Sequence, residues 1–162
     1  ASVMGTWNNC NASVTPWNTG LTSEEYEPVS AKAGWQENVA DMSDYLGKQA
    51  NPYDYGYPVE LIPDPKGKSA VTNVVKHYAM GRLSYEMSVV MGDQKTVYSG
   101  DDETGVILSK FVADKEGDLS AGTLYAGKVA QQSDESFDIE WIELGRSNSG
   151  DIYDAIRSVV LK

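Results

Sequence analysis

The sequence predicts a mainly β fold, assembled from antiparallel meanders with short helical insertions, and three observations lead there. Residues 86–129 are a run of short β-prone segments with turn signals between them. Residues 137–144 alternate with a period of two, so that Phe137, Ile139, Trp141 and Glu143 share one face. An apolar fraction of 41% over 162 residues is enough for a real core.

Four strands are expected in the first run. Residues 87–91 and 95–99 flank the turn Gly92-Asp93-Gln94, and residues 105–112 and 123–129 flank a polar loop, 114–121, with Gly117 at its middle. That is one blade's worth of strand in a β-propeller. Upstream, residues 72–80 also read as strand. Residues 36–48 carry Val39, Met42 and Leu46 at helical spacing and predict a surface helix closed by Gly47. Residues 51–65 hold Pro52, Pro58, Pro63 and Pro65, which predicts an ordered loop or linker. Asp151 is placed to cap a last helix, with Ile152, Ala155, Ile156 and Val159 on its apolar face. No internal repeat is visible.

Thirteen basic against 24 acidic residues give a net charge of −11, a field that repels nucleic acid and anionic membrane surfaces. Neither is an expected partner. The same field disfavours a phosphate site unless carboxylates surround multivalent cations that reverse the local potential. No apolar run approaches the roughly 20 residues that span a bilayer. The one cysteine, Cys10, rules out an internal disulfide framework and leaves its thiol buried, free or bound to metal.

Three clusters can carry chemistry: Cys10 with Glu24 and Glu25, then Glu86, then Asp101-Asp102-Glu103. Taken singly, each has a plain reading as a solvated loop or turn. Taken together, strand-end carboxylates can converge to supply the six to eight oxygens of calcium, while a thiolate suits iron or zinc. His77 and Arg82 lie just before Glu86 and can orient a substrate phosphate, the guanidinium fork matching phosphate oxygens. Their plain readings are a strand histidine hydrogen-bonded in place and an arginine ion-paired to a carboxylate. No nucleophile elbow surrounds a serine, and no glycine loop precedes a helix to cradle phosphate.

The order of these segments resembles a known family. Asn9-Cys10, Thr15-Pro16-Trp17 and Leu21-Thr22-Ser23-Glu24-Glu25 are similar to its signature N-C-A-G-G-x-T-P-W-x-T-x-L-x-x-E-E. His77-Tyr78-Ala79-Met80-Gly81-Arg82 with Glu86 resembles its H-x-A-x-G-R-x-x-x-E segment. Val97-Tyr98-Ser99-Gly100-Asp101-Asp102, Lys110-Phe111-Val112 and Gly122-Thr123-Leu124-Tyr125 resemble the strand pair that follows. The family is that of the PhoX-type alkaline phosphatases, and the resemblance covers the chain except an insertion or loop at 36–65.

The resemblance implies a six-bladed propeller with iron and calcium on its axis, reaching the periplasm by the twin-arginine route. Residues 1–162 would form part of that phosphatase domain, about two blades. Cys10 would ligate iron, Glu25 and Glu86 would hold iron or calcium, and Glu24 and Asp101 to Glu103 would be ligands or their supports. Asn11 to Val14 replace a glycine-rich stretch, Ser23 and Tyr26 flank the glutamates where the family often has other residues, and an R-P-E type motif expected further on is missing. The chain is therefore expected to be part of a longer protein and inactive alone, its open strand edges covered by the rest of the propeller in the same or another chain. The expected activity is metal-dependent hydrolysis of small phosphate monoesters. The alternatives are a non-catalytic calcium-binding segment serving protein–protein interaction, or a phosphodiesterase- or lactonase-like hydrolase on the same scaffold.

Overall fold

A computed structural model describes residues 3–29, 33–102 and 104–159. The chain is mainly β. Four strands, β1 (Asn9–Val14), β2 (Gly20–Glu24), β3 (Pro58–Pro63) and β4 (Val71–Lys76), form one antiparallel sheet in sequence order. Five more, β5 (Tyr85–Val90), β6 (Thr96–Asp101), β7 (Leu108–Lys115), β8 (Asp118–Gln131) and β9 (Phe137–Asn148), form a second. Among the described residues neither sheet closes on itself, and no helix is long and apolar enough to cross a membrane.

The sheets meet where β1 and β2 pack on β5. Small polar side chains allow the approach: Ser13 Oγ donates to the Ser88 carbonyl (2.7 Å), and Ser23 and Ser99 reach Ser88 Oγ at 3.3 and 2.8 Å. Behind them Leu21, Ala79, Met80, Val90, Val97, Phe111, Ala113 and Leu119 form the main core. Strands β5, β6 and β7 alternate buried with more open positions, as one-sided sheets should.

Between β2 and β3 lie α1 (Trp35–Asn38), α2 (Ala40–Leu46) and a 3₁₀ turn, Pro52–Asp54. The single helix expected over 36–48 is split at Val39. That residue leaves helical geometry (φ −120°, ψ 19°) and is fully buried with Trp35, Ala50 and Tyr55. Gly47 closes α2 as expected, in the left-handed region at φ 64°, with Lys48 N–H returning to the Ser43 carbonyl.

Three further expectations are corrected. Strand β3 occupies part of the loop predicted over 51–65, because Pro58 stands at its first residue and Pro63 at a register shift, both places that tolerate a missing donor. The loop predicted over 114–121 is a tight hairpin: Lys115 pairs with Asp118, Gly117 turns at φ 70°, and buried Leu119 draws β8 in at once. Residues 72–80 are strand only to Lys76, followed by the 3₁₀ turn Tyr78–Met80.

The last helix, α3 (Ser149–Ser158), starts earlier than Asp151. Asn148 caps it, accepting from Asp151 N–H (2.9 Å) while its amide donates to the Asp151 carboxylate (2.7 Å), a reciprocal box. Ile152 and Ile156 then pack on Tyr57 and Tyr78.

Candidate metal centre

Two irregular strand positions build the site. In β1 the pairing with β2 shifts between Asn9 and Ala12, which places Cys10 in a bulge. In β5 the pairing with β6 shifts between Tyr85 and Met87, which leaves Glu86 as the extra residue. Bulges re-aim side chains, and both residues face outward. Glu25 follows the end of β2, its N–H bonded to the Asn8 carbonyl at 3.3 Å. The Cys10 Sγ and one carboxylate oxygen each of Glu25 and Glu86 all lie within 4.8 Å of one another.

Asp102 extends this group. Its carboxylate is hydrogen-bonded to Glu25 and accepts from the Tyr26 hydroxyl. Two facing carboxyls need a shared proton or a cation. Partial desolvation and the hydrogen bond with Asp102 push Glu25 up, while the hydrogen bonds from Tyr26 and Glu25 hold Asp102 down. The Cys10 thiol is raised by desolvation, by its hydrogen bond to Glu25 and by the charges of Glu25 and Glu86. Such a thiol ionises readily only beside a positive charge.

Glu24, next to Glu25 in the chain, lies on the opposite face and inside the molecule. Its Oε1 is 2.8 Å from Lys76 Nζ and accepts from Trp7 N–H (2.8 Å), and its Oε2 accepts from Gly56 and Tyr57 N–H. Lys76 Nζ also donates to the carbonyls of Gly5 and Asp54 and stands 4.7 Å from the Tyr55 ring centre. Burial moves both groups toward neutrality, Glu24 up and Lys76 down, against their mutual attraction. Glu24 thus ties together four stretches of chain, and the cluster does not include it.

His77 and Arg82 also have other work. His77 is buried, with Nε2 2.8 Å from Glu60 Oε2. Glu60 additionally accepts from Trp17 Nε1 (2.7 Å) and Thr19 Oγ1 (2.6 Å). Burial alone would raise Glu60, but these hydrogen bonds outweigh it and hold the acid at about 2. Arg82 Nε donates to the Tyr55 carbonyl (2.9 Å) and one terminal nitrogen to the Pro28 carbonyl (2.6 Å), while the other lies 3.8 Å from Glu27. Of the two residues expected to orient a phosphate, the histidine is enclosed, and the guanidinium bonds to carbonyls.

Asp101 accepts from Ser84 N–H at 3.1 Å and sits in β6 beside the cluster's edge. Glu103 lies outside the described residues. Sequence reasoning missed Tyr26 and Ser84 as parts of the site, and Lys76 and Glu60 as the buried partners of Glu24 and His77; none of the four stands in a recognisable chemical motif.

A family model described as Alkaline phosphatase PhoX matches residues 1–161. The chain belongs to the PhoX alkaline phosphatase family. No curated protein and no solved structure matches it. As a PhoX-family chain it is related to phosphatases, hydrolases that act on phosphate esters. The three grouped donors, Cys10, Glu25 and Glu86, fall within two of the segments that carry the resemblance.

Proposed function

We propose that this PhoX-family chain forms the metal-binding part of an alkaline phosphatase that hydrolyses small phosphate monoesters with iron and calcium. The observation that carries the reading is the convergence of a thiol and two carboxylates, from β1, β5 and the end of β2, to within 4.8 Å. The donor set fits the metals. A cysteine thiolate is a soft ligand that suits iron and not calcium, and Glu25 and Glu86 are hard oxygen donors that suit either. Calcium takes six to eight oxygens, so with Glu25 and Glu86 it would also draw on water or other residues of the protein.

When bound, the metals supply Lewis-acid stabilisation of charge on phosphoryl oxygens. The chain's own residues hold the site: Cys10 and Glu86 are presented by bulges, and Glu25 is steadied by Asp102. A chain of charge −11 repels an anionic ester everywhere except where cations outweigh the carboxylates, which confines substrate to this place. The same reading treats the two meanders as about two blades of a propeller, with β1 and β5 towards its axis. The remainder of the propeller comes from the same polypeptide or another chain, and the protein works in the periplasm or is secreted.

The test is Cys10→Ala in the intact protein. Cys10 is exposed, so the variant is expected to keep the melting temperature of the metal-free wild type while losing iron and falling at least about 100-fold in phosphate release, the scale on which even ligand-supporting residues act. Unchanged iron content and turnover would refute the reading.

A further inference from the structure

We propose that Tyr26 is a positioning residue for this metal centre: its phenol holds Asp102 against Glu25, keeping the Glu25 carboxyl turned toward Cys10 and Glu86. The proposal deepens the metal-centre reading and rests on it.

The backbone of Tyr26 is the first sign. Its φ is 49°, in the left-handed region that an aromatic residue enters only when its surroundings compel it. Those surroundings engage every polar group it has. Its N–H donates to Ser84 Oγ (2.7 Å), its carbonyl accepts from Trp7 Nε1 (2.9 Å), and its hydroxyl donates to the Asp102 carboxylate. Asp102 is held from its other side too, its N–H donating to the Ser84 carbonyl at 3.0 Å. Ser84 and Tyr26 therefore clamp Asp102 by backbone and side chain together.

Asp102 in turn adjoins Glu25, whose carboxylate lies within 4.8 Å of the Cys10 sulfur and of Glu86. Tyr26 is 54% exposed, so core packing does not account for an aromatic residue here. What the hydroxyl does is fix one carboxylate that fixes another. Groups that orient metal ligands in this way usually change affinity by ten- to a hundredfold when removed.

The experiment compares the intact wild-type protein with Tyr26→Phe, which keeps the ring and the backbone contacts. Iron and calcium are each titrated alone into metal-free protein, with the thiolate-to-iron absorption band recorded and the melting temperature of the metal-free form measured. The expected result is metal binding weaker by about ten- to a hundredfold and a shifted absorption band, at an unchanged metal-free melting temperature. Asp102→Asn should show the same loss, and the double variant no more than either single one, because all three break one link.

Wild-type affinity and an unmoved band in Tyr26→Phe would overturn the proposal, as would losses that add in the double variant. A fall in metal-free stability that accounts for the weaker binding would make Tyr26 a structural staple and overturn it equally. Wild-type protein that takes up neither metal would remove the metal-centre reading itself, a failure distinct from that of Tyr26 alone.

Discussion

Adjacent glutamates with opposite fates show what one position in a strand decides. Glu24 is enclosed with Lys76, both side chains fully buried, whereas Glu25 turns to the cluster. Glu24→Gln leaves the Lys76 charge buried without its counter-ion, which costs about 3–5 kcal/mol. Urea unfolding of the metal-free proteins should show that loss for Glu24→Gln, while Glu25→Gln should leave metal-free stability nearly unchanged and lose metal. The pair Glu24-Glu25 was visible in the sequence as a cluster, but the partner that takes one of them out of the site stands 52 positions away at Lys76. Only the pairing of β2 with β3 and of β3 with β4 brings it there.

Glu60 makes a prediction about acid. Its folded value of about 2 lies below its ordinary 4.5, so its contribution of about 3 kcal/mol is present above pH 4.5 and is lost as the pH falls towards 2. Denaturation measured across that window should be steeper for the wild type than for Glu60→Gln by up to one proton. Equal slopes would mean that the hydrogen bonds from His77, Thr19 and Trp17 do not hold the carboxylate.

At the scale of elements, Gly122 sets how closely β8 approaches β7. A Cβ there would meet the Val112 carbonyl oxygen at 2.4 Å, Phe111 Cζ at 2.5 Å and Ala113 Cα at 2.9 Å, two of them backbone atoms that cannot swing away. Gly122→Ala should destabilise by about 1–3 kcal/mol, read as a lowered denaturation midpoint at constant slope. Asn148→Ala, which removes both halves of the cap on α3, should cost about 1 kcal/mol.

The strands of the second sheet were legible because β5, β6 and β7 alternate and are punctuated by turn residues. Strand β1 was not: Asn-Cys-Asn-Ala-Ser-Val is mostly exposed and has no alternation to read. It is a strand because β2 pairs with it. Cys10 drew notice as the one thiol and through the family resemblance, while the bulge that aims it leaves no mark in the local sequence. Val39 was read as one apolar position of a single helix, yet it stands between two helices, buried in a cluster that includes Ala50 and Tyr55.

Across the whole molecule, the candidate centre straddles the junction of the two sheets. Cys10 and Glu25 belong to the first and Glu86 to the second, and the serines around Ser88 fix their separation. A metal held by both sheets should therefore stabilise the contact between them, raising stability by about 2.7 kcal/mol at a free concentration a hundred times its dissociation constant. The central claim is that Cys10, Glu25 and Glu86 share one iron. Iron-edge X-ray absorption on the intact protein tests it most directly. The account predicts one sulfur neighbour among oxygen neighbours, with the sulfur signal abolished in Cys10→Ala; a protein without iron, or iron surrounded only by oxygen and nitrogen in the wild type, would contradict it.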